Sequence, residues 1–495
     1  MNGQSLSHLL AGIVEVPALF DLTVHGLTAD TRELDAGDGF IAVAGMHSAA
    51  TANLDQAVES GAIAILLESD QAAPCYEHGK ALVVPVAGLK THMGTLAARF
   101  YGHPGDHMSL VGVTGTNGKT TVSQLVAQLL EQCGSPCGVI GTLGYGFPAN
   151  IHAGTHTTPD VVRLNRQLAE IQQAGGRACA MEVSSHALDQ GRVDGLRFAS
   201  AIFTNLSRDH LDYHGSMEAY GEAKEKLFAG SRCRTAIINV DDEFGRGLAA
   251  RLAEKGRRVI RFSLEDASAE LHAIRCELQP EGCRMTIGGK WGEAMVEVPL
   301  MGRFNASNVL AAMAATLELG VPLERLVGAV ARLLPPPGRL QAFKGRDDVT
   351  VVVDYAHTPD ALGKALEALR EHARDRLICV FGCGGDRDSG KRPEMAAQSA
   401  RLADLSIVTD DNPRTESPES IVKDIVAGFS KQDVFRVVYS RAAAIEEAIS
   451  EARNGDIVLI AGKGHETYQE IKGRKYPFND AEQVRAALGL NGGVA

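Results

Sequence analysis

The stretch LVGVTGTNGKTT, Leu110–Thr121, decides the fold of this chain. It opens with the apolar run Leu110–Val113, which is typical of a buried strand, and continues with the glycine-rich segment Gly115–Gly118. The apolar residues of the next segment, Lys119–Glu131, fall at positions i, i+3, i+4, i+7 and i+8 of a helix: Val122, Leu125, Val126, Leu129 and Leu130. A strand, a glycine-rich turn and a helix in this order predict a loop that holds a phosphate group.

The residue types of this loop suit phosphate chemistry. Glycines let backbone N–H groups face the ligand, and the helix N-terminus adds a favourable dipole. Lys119 can neutralise charge on the β- and γ-phosphates of ATP, and the Thr120 hydroxyl can ligate Mg²⁺. The standard pattern places a glycine five residues before Gly118, where this chain has Val113, so the loop is a shortened variant. The predicted nucleotide contacts are Gly115, Thr116, Asn117, Gly118, Lys119, Thr120 and Thr121.

Further apolar runs alternate with helical patterns along the whole chain, which predicts an α/β fold with mostly parallel sheets. In the central part the runs are Ala178–Val183, Ala201–Thr204 and Ala236–Val240. Shorter runs precede them at Phe40–Val43 and Ala62–Leu67. In the C-terminal part they are Val351–Val353, Leu377–Phe381, Leu405–Val408, Val434–Val438 and Ile457–Ala461. Polar and glycine-rich motifs follow several of the C-terminal runs, where open α/β sheets bind ligands.

A chain of 495 residues is too long for one hydrophobic core. Turn-rich segments at Tyr101–Gly105 and Leu334–Gly338 suggest two boundaries. We therefore predict three domains: a smaller N-terminal α/β domain at 1–106, a central ATPase-type domain with a mostly parallel sheet at 107–334, and a C-terminal Rossmann-like α/β domain at 335–495.

Composition narrows the function classes. The net charge of −12 disfavours nucleic-acid binding. The nine scattered cysteines contain no paired C-x-x-C motifs, so we expect buried, reduced thiols rather than zinc ligands or a disulfide framework. The N-terminal 20 residues lack a basic segment and are interrupted by Glu15 and Pro17, so we predict neither a signal peptide nor a membrane span. We expect a cytoplasmic monomer.

Four polar residues of the central part are ambiguous from spacing alone. Glu182 ends a strand-like run, where a carboxylate can hold a nucleotide-bound Mg²⁺, although a solvated loop glutamate is the plainer interpretation. His210 and His214 are four residues apart, but no H-E-x-x-H motif is present, and a structural histidine is the more common case. Lys224 has the spacing of a solvated lysine on a surface helix.

Taken together, the motifs resemble those of the Mur ligases over the whole chain, and the central part is similar to folylpolyglutamate synthetases too. The motifs that carry this resemblance are Thr114–Thr121, Met181–His186, Asn205–Asp212, Asn305–Asn308, Asp354–Asp360 and Asp411–Arg414. The C-terminal motifs Gly382–Asp388, Asp411–Arg414 and Gly462–Glu466 narrow the resemblance to Mur ligases that add meso-diaminopimelate.

The resemblance implies roles for residues that spacing leaves open. Glu182 and His210 would each ligate one Mg²⁺, and Lys224 would be carbamylated by CO₂ so that its new carboxylate helps to hold the second ion. ATP would be held by the phosphate loop and by Asn305, Asn308, Arg339 and Asp354.

The same resemblance implies two further substrates. A UDP-N-acetylmuramoyl dipeptide would contact the central domain at Thr157, Thr158, Ser184, Gln190 and Arg192, and the N-terminal domain at Ala29, Thr31 and Met46–Ser48. The incoming meso-diaminopimelate would contact Arg387, Asp411, Asn412, Pro413, Arg414, Gly462 and Glu466. Arg414 can clasp the second carboxylate of diaminopimelate, a group that lysine lacks.

The implied activity is ATP-dependent amide-bond formation during peptidoglycan synthesis, a step of cell-wall biogenesis on which cell shape and division depend. Two alternatives remain open. One is another enzyme of the superfamily, such as a folylpolyglutamate synthetase or a lysine-adding Mur ligase. The other is a P-loop switch or regulatory ATP-binding protein without ligase activity.

Overall fold

The computed structural model describes residues 3–44, 49–71, 73–154, 156–230, 232–279, 281–345 and 349–490. The chain forms two compact units, one built from Met1–Arg261 with Ala314–Val321 and the other from Phe262–Met313 with Pro322–Ala495. Both are α/β structures, which confirms the predicted fold class. The finer division into three domains stays a prediction.

The first unit begins with a five-stranded sheet in the order β3-β4-β5-β7-β6. Its strands are parallel except β6, which pairs with β7 in the antiparallel sense. The strands are β1 (Gln4–Ser5), β2 (Thr23–Val24), β3 (Leu27–Thr28), β4 (Gly39–Ala42), β5 (Ala64–Ser69), β6 (Tyr76–His78) and β7 (Ala81–Ala87); the helices are α1 (Leu6–Leu9), α2 (Leu54–Glu59) and α3 (Leu89–Phe100). The remaining strands, β1 and β2, form a separate antiparallel pair.

A second sheet of this unit carries the phosphate loop, with the strand order β11-β10-β9-β12-β8-β13-β14-β15. The strands are β8 (Ser109–Thr114), β9 (Cys137–Gly141), β10 (Gly144–Phe147), β11 (Asn150–His152), β12 (Ala178–Glu182), β13 (Phe198–Phe203), β14 (Cys233–Asn239) and β15 (Arg258–Ser263). The helices are α4 (Lys119–Gln132), α5 (Val161–Gln173), α6 (Ser185–Asp189), α7 (Leu211–His214), α8 (Met217–Glu225) and α9 (Glu243–Glu254).

The central strand β8 lies between β12 and β13 and is parallel to both. Its successor α4 begins at Lys119, as the sequence predicts, and buries Leu125, Val126 and Leu129 completely. Burial of one such leucine stabilises the fold by about 1.5–3 kcal/mol relative to exposure. The polar residues that follow β8, β12 and β13 therefore meet at one edge of a rigid sheet.

The second unit starts with an antiparallel extension and two helices. The extension follows the last residues of β15 and consists of β16 (Leu271–Gln279), β17 (Gly282–Gly289) and β18 (Ala294–Val298); the helices are α10 (Arg303–Glu318), whose last turns belong to the first unit, and α11 (Leu323–Val330).

A six-stranded sheet completes the second unit, in the order β19-β20-β24-β21-β22-β23. Only β19 is antiparallel to its neighbour. The strands are β19 (Gln341–Lys344), β20 (Thr350–Asp354), β21 (Leu377–Phe381), β22 (Leu405–Val408), β23 (Phe435–Val437) and β24 (Ile457–Ala461), followed by the hairpin β25 (Tyr468–Ile471) and β26 (Arg474–Pro477). The helices are α12 (Pro359–Arg370), α13 (Lys391–Leu402), α14 (Pro418–Val426), α15 (Arg441–Glu451) and α16 (Asp480–Ala487).

Both faces of this sheet are covered by apolar clusters. Val352, Phe381 and Leu459 pack on one face, and Val351, Val380 and Ile460 pack on the other. Strands buried on both sides account for the continuous apolar runs of the sequence.

The structure bears on two expectations for the chain as a whole. All nine cysteines lie in the described ranges, none of them forms a disulfide, and six are buried, which confirms the expectation of mostly buried thiols. Across the residues whose structure is described, no helix has the length and apolar character needed to span a membrane.

Candidate active site

The phosphate loop curls between β8 and α4 with two glycines in the left-handed region. Gly115 has φ 145° and Gly118, the residue before α4, has φ 86°. A Cβ atom at Gly115 would overlap the hydroxyl of Thr204, so this position requires glycine. Lys119 folds over the loop and donates from Nζ to the carbonyl oxygens of Gly115 (2.9 Å) and Thr116 (2.7 Å).

Residues after β13 hold the loop in this shape. Asn205 accepts from the backbone N–H groups of Thr116 (2.8 Å) and Asn117 (3.0 Å), through its carbonyl oxygen and Oδ1 respectively. Thr204 donates from Oγ1 to the carbonyl oxygen of Asn117 at 2.6 Å. The loop is therefore pre-organised by the residues that follow the neighbouring strand rather than by its own glycines alone.

Glu182 stands at the end of β12, beside the start of α4, and is only 1% exposed. The Thr120 hydroxyl donates to its Oε2 at 3.0 Å, and the backbone N–H of Thr142 donates to its Oε1 at 2.8 Å. A hydroxyl and a carboxylate are oxygen ligands of the kind that Mg²⁺ takes beside nucleotide phosphates. Thr142 was not singled out in the sequence because only the fold brings it to Glu182.

The residues predicted to contact the dipeptide form a group around the same strand end. Thr158 donates from its hydroxyl to the carbonyl oxygen of Glu182 at 2.9 Å and accepts from the N–H of Ser184 at 3.1 Å. Arg192 donates from Nη1 to the carbonyl oxygen of Thr158 at 2.8 Å and from Nε to Oε1 of Gln190 at 2.9 Å. The neighbouring Thr157 is joined to Thr142, with 3.0 Å between the two hydroxyl oxygens.

The plain interpretation of Lys224 as a solvated surface lysine is wrong. Its side chain is buried with the residue 1% exposed, and Nζ donates to the carbonyl oxygen of Gly115 at 2.9 Å. Nζ also lies 4.2 Å from the ring centroid of Tyr220. Burial and the nearby charge of Lys119 hold the pKa of Lys224 well below its ordinary range, against the attraction of Asp209. The buried amine is therefore held close to the phosphate loop.

His210 lies at the start of α7, within a cluster of rings. Its backbone φ is 52°, and its side chain is 45% exposed. The ring of His186 lies 4.9 Å from that of His210 and 5.4 Å from that of His214, between centroids. His214 itself is engaged with the hydroxyl of Ser185 at 3.0 Å. Among the described residues, no group of three or more His, Cys, Asp or Glu side chains could hold a metal ion by itself.

The predicted uridine contacts Ala29 and Thr31 lie directly after β3, at the carboxyl edge of the N-terminal sheet. Asp30 caps the short helical turn that begins at Thr31 by accepting from the N–H of Arg32 at 3.0 Å. The third predicted contact, Met46–Ser48, lies outside the described residues.

In the second unit, the predicted ATP contacts Asn305 and Asn308 lie in the first turns of α10 and are both buried. Asn305 donates from Nδ2 to the carbonyl oxygen of Met301 at 2.8 Å, and Asn308 donates from Nδ2 to Oδ1 of Asn305 at 3.0 Å. The segment before α10 is fixed by His372, which accepts from the N–H of Gly302 at Nε2 (2.8 Å). His372 lies after α12 and was not singled out in the sequence.

Arg339 and Asp354 interact electrostatically, and Arg339 lies beside the ring of Tyr355. Asp354 accepts from the backbone N–H groups of Leu340 (2.7 Å) and Ala356 (2.9 Å), and burial raises its pKa despite the opposing charge of Arg339. The guanidinium of Arg339 lies 5.0 Å from the ring centroid of Tyr355.

Two glycines bring the chain segment before β19 against the loop after β24. Gly338 has φ 68° and Gly464 has φ 52°. A side chain at Gly338 would overlap the backbone of Gly464 and His465. The two segments therefore touch through backbone atoms.

Loops after β21, β22 and β24 form a polar cluster at the carboxyl edge of the six-stranded sheet. Asp386 joins the first two loops by accepting from the N–H (3.0 Å) and the hydroxyl (2.8 Å) of Thr415. Arg414 has φ 54° and donates from Nη1 to the carbonyl oxygen of Gly385 at 2.7 Å. Its Nε lies 3.5 Å from a carboxylate oxygen of Glu470.

The remaining predicted amino-acid contacts belong to the same cluster. Asn412 and Pro413 are buried, Arg387 is exposed, and the Asp411 carboxylate lies where a Cβ of Gly462 would fall. Glu466 accepts from Nδ2 of Asn412 at 2.9 Å. The structure thus brings together residues from three separate stretches of sequence.

A phosphate loop with its lysine, threonine and carboxylate in one unit defines the class as a P-loop nucleotide-binding protein of α/β fold. Comparison with known families agrees: residues 113–316 match the Mur ligase middle domain, and residues 338–464 match the Mur ligase, glutamate ligase domain.

Similar proteins extend the match beyond these domains. The UDP-N-acetylmuramoyl-L-alanyl-D-glutamate–2,6-diaminopimelate ligase of Pseudomonas aeruginosa is 51% identical over 470 residues, which cover 94% of this chain and 96% of that protein. The ligase of the same name from Ectopseudomonas mendocina is 50% identical over 465 residues, covering 94% and 95%. A solved structure of a ligase of this name superposes with a TM-score of 0.74 at 35% identity, over 99% of each chain. The chain belongs to the Mur ligase family and is an ATP-dependent ligase.

Proposed function

We propose that this enzyme adds meso-diaminopimelate to the D-glutamate of UDP-N-acetylmuramoyl-L-alanyl-D-glutamate, with ATP as the energy source, in peptidoglycan synthesis. The observation that carries the proposal is the position of Arg414. Its guanidinium lies among the polar loops at the carboxyl edge of the six-stranded sheet, where diaminopimelate would bind. Two relatives about half identical to this chain are named as UDP-N-acetylmuramoyl-L-alanyl-D-glutamate–2,6-diaminopimelate ligases.

The phosphate loop would bind ATP, with Lys119 leaving the carbonyl oxygens of Gly115 and Thr116 for the β- and γ-phosphates. Asn305, Asn308, Arg339 and Asp354 would hold the rest of the nucleotide. These roles follow the family pattern and agree with the burial of both asparagines.

Mg²⁺ fits the residues present. The hydroxyl of Thr120 and the carboxylate of Glu182, 3.0 Å apart, offer two oxygen ligands, and phosphate oxygens and water would complete the shell. His210 is accessible enough to ligate a second ion. When bound, Mg²⁺ would neutralise charge that develops on the transferred phosphoryl group.

Lys224 would act as the carbamylated lysine of the family. A lowered pKa favours the uncharged amine, the form that attacks CO₂; a carbamate forms and one proton is released. The product would carry a negative charge next to Lys119, where the protonated amine would face an unfavourable like charge.

The dipeptide substrate would lie along Thr157, Thr158, Ser184, Gln190 and Arg192, with its uridine near Ala29, Thr31 and Met46–Ser48. Its D-glutamate carboxylate would attack the γ-phosphate, ADP would leave, and an acyl phosphate would form. The amine of diaminopimelate would then attack the acyl carbon and release phosphate. Because the developing charge lies on the phosphoryl group, Lys119 would supply most of the protein's own stabilisation.

The amino acid would bind between the loops that carry Arg387, Asp411–Arg414, Gly462 and Glu466. The guanidinium of Arg414 can form two hydrogen bonds with the distal carboxylate of diaminopimelate. Lysine lacks that group and would form neither of these two hydrogen bonds, so the site should reject lysine.

We further propose that the enzyme is cytoplasmic, since ATP and nucleotide-linked substrates are cytosolic molecules. We also propose that it is a monomer and that its three domains span 1–106, 107–334 and 335–495.

The test is phosphate release from ATP and Mg²⁺ with UDP-N-acetylmuramoyl-L-Ala-D-Glu, in parallel with meso-diaminopimelate, L-lysine or no amino acid. Release that requires diaminopimelate, with lysine near the background rate, supports both the reaction and the role of Arg414. Release with lysine would contradict the specificity, and release that ignores both amino acids would contradict the proposed reaction.

A further inference from the structure

A fully buried lysine, Lys463, lies in one of the loops that would bind the amino acid, and the proposed reaction gives it no role. Lys463 has no exposed surface, although it lies only one residue after Gly462 in a loop that the substrate would touch. Lysine is almost never buried completely unless its ammonium group is paired. The partners of Lys463 therefore indicate what the burial achieves.

The ammonium group of Lys463 bridges two of the predicted substrate contacts. Nζ donates to Oδ1 of Asn412 at 3.1 Å and to Oε2 of Glu466 at 2.9 Å. Nδ2 of Asn412 donates to the same Oε2 at 2.9 Å, which closes a three-membered ring of hydrogen bonds. The ring joins the loop after β22 to the loop after β24.

This ring fixes the orientation of the Asn412 amide. Its Oδ1 accepts from Lys463 and also from the backbone N–H of Glu470, at 2.9 Å. A flipped amide would turn Nδ2 toward those two donors and Oδ1 toward the Glu466 carboxylate, so that three hydrogen bonds would be lost. Lys463 therefore keeps the N–H groups of Asn412 on the side of Glu466.

The same contact favours the charged form of Glu466. Burial opposes ionisation of this carboxyl, but the hydrogen bonds and charge of Lys463, with the amide of Asn412, outweigh it and hold the pKa of Glu466 below its ordinary value. His465, Arg441 and Tyr355 also interact electrostatically with this carboxyl.

The hydrogen-bonding groups of Glu466 and Asn412 that the ring does not use match one end of an amino acid. Glu466 uses Oε2 for both hydrogen bonds of the ring, so Oε1 can accept from a substrate ammonium group. Asn412 uses one N–H of Nδ2 in the ring, and the second can donate to a carboxylate. An acceptor and a donor side by side complement the zwitterionic end of an α-amino acid.

We infer that Lys463 is a positioning residue for the amino-acid substrate, which acts by orienting the Asn412 amide and by pairing with the Glu466 carboxylate. The inference rests on the proposed function and adds to it a residue that need not touch the substrate. If the inference is right, loss of Lys463 weakens the binding of the amino acid far more than the binding of ATP or the dipeptide.

The experiment compares the full-length enzyme with Lys463→Met, which keeps the length of the side chain without its charge. The KM for meso-diaminopimelate should rise about 10- to 100-fold, the scale of losing hydrogen bonds to a charged group, while the KM values for ATP and the dipeptide stay within about twofold. The acid limb of kcat/KM for diaminopimelate should also move to higher pH, because Glu466 without Lys463 protonates more readily.

Lys475→Met is the matched control. Lys475 is exposed, and its Nζ lies 4.2 Å from the ring centroid of Tyr468, the ring that Lys463 approaches at 5.8 Å. This variant removes a lysine from the same surroundings without touching Asn412 or Glu466, and it should keep all three KM values and the pH profile.

If Lys463→Met does not fold, Lys463→Gln, which retains a hydrogen-bond donor, takes its place with the same expected pattern. Unchanged KM for diaminopimelate, an equal rise in all three KM values, or a lower kcat alone would overturn the inference, since each describes a purely structural lysine. Failure of the proposed function is a separate result: the unmodified enzyme would then release phosphate independently of diaminopimelate.

Discussion

Replacing Arg414 with asparagine should separate recognition of diaminopimelate from the integrity of its loop. Arg414 adopts φ 54°, a left-handed conformation that asparagine tolerates better than most residues. Its backbone N–H donates to the carbonyl oxygen of Glu470 at 3.0 Å, and its carbonyl oxygen accepts from the N–H of Lys472 at 2.6 Å. Asparagine can keep both backbone hydrogen bonds, so the variant removes the guanidinium and, with it, the hydrogen bond to the carbonyl oxygen of Gly385.

The size of the effect follows from the burial of the arginine. Removal of one partner of a buried, hydrogen-bonded charge pair costs about 2–5 kcal/mol. The side chain of Arg414 is 22% exposed without substrate, so solvent screening favours the lower part of this range, about 2–3 kcal/mol. At about 1.4 kcal/mol per tenfold change, kcat/KM for diaminopimelate should fall roughly 30- to 150-fold.

The assay is ADP or phosphate release at varied concentrations of diaminopimelate and of lysine. For Arg414→Asn we expect the large loss with diaminopimelate and no loss with lysine, so that the preference between the two shrinks. Arg436→Asn is the control, because Arg436 is an exposed arginine that pairs with Glu447 and Glu451 instead. A change of less than about threefold with diaminopimelate, or an equal loss with both amino acids, would refute the assignment.

Three further changes test other parts of the structure. Lys119→Met should lower kcat at least about a hundredfold with a smaller effect on the KM for ATP, because the lysine would stabilise the transferred phosphoryl group; steady-state kinetics measure both. Arg441→Leu should lower the free energy of unfolding by about 3–5 kcal/mol, since it strands Asp480, with which it forms a fully buried ion pair at 2.7 Å; the double variant with Asp480→Leu should recover much of the loss in urea titrations. His372→Gln should reduce the pH dependence of the thermal midpoint, because burial lowers the pKa of His372 in the folded protein. The contribution of His372 to the free energy of unfolding is therefore complete above pH 6.5, the ordinary pKa of histidine. It is lost as the pH falls below 6.5 toward the lowered pKa.

Exposed positions provide controls for these three changes. Lys475→Met is the control for Lys119→Met, and His8→Gln is the control for His372→Gln. Arg436→Leu is the control for Arg441→Leu, because surface ion pairs contribute only about 0–1 kcal/mol to stability. Normal kcat in Lys119→Met would contradict the role of the lysine. A loss below about 1 kcal/mol in Arg441→Leu, or an unchanged pH slope in His372→Gln, would contradict the other two explanations.

The sequence predicted the strands that lie at the centre of a sheet most accurately. Leu377–Phe381, Leu405–Val408 and Ile457–Ala461 match the observed β21, β22 and β24 residue for residue. Such strands are buried on both faces, so their apolar runs are continuous and their ends are sharp. The antiparallel extension β16–β18 was not predicted, because exposed residues such as Ile274 and Met295 interrupt any simple alternation.

The candidate site was predictable where motifs follow such strands, and less so elsewhere. The predicted ends of the strands locate the phosphate loop, Glu182 and the loops of the C-terminal sheet. The roles of these residues remain predictions. Helical spacing misjudged Lys224, because the acceptor that buries it, the carbonyl oxygen of Gly115, is more than a hundred residues distant in sequence. Thr142 and His372 were missed for the same reason, since their partners belong to other segments. The role of Lys463 was missed because one of its two partners, Asn412, lies in a different loop.

The contact between Gly338 and Gly464 sets a rule for recombining this enzyme with its relatives. Exchange of the C-terminal part is an obvious route to a ligase for another amino acid, and β19 would be a convenient junction. A junction there would join one parent's Gly338 segment to the other parent's loop after β24, although their backbones leave no room for a Cβ. Crossovers placed before Leu334 would transfer both glycines together and preserve that fit.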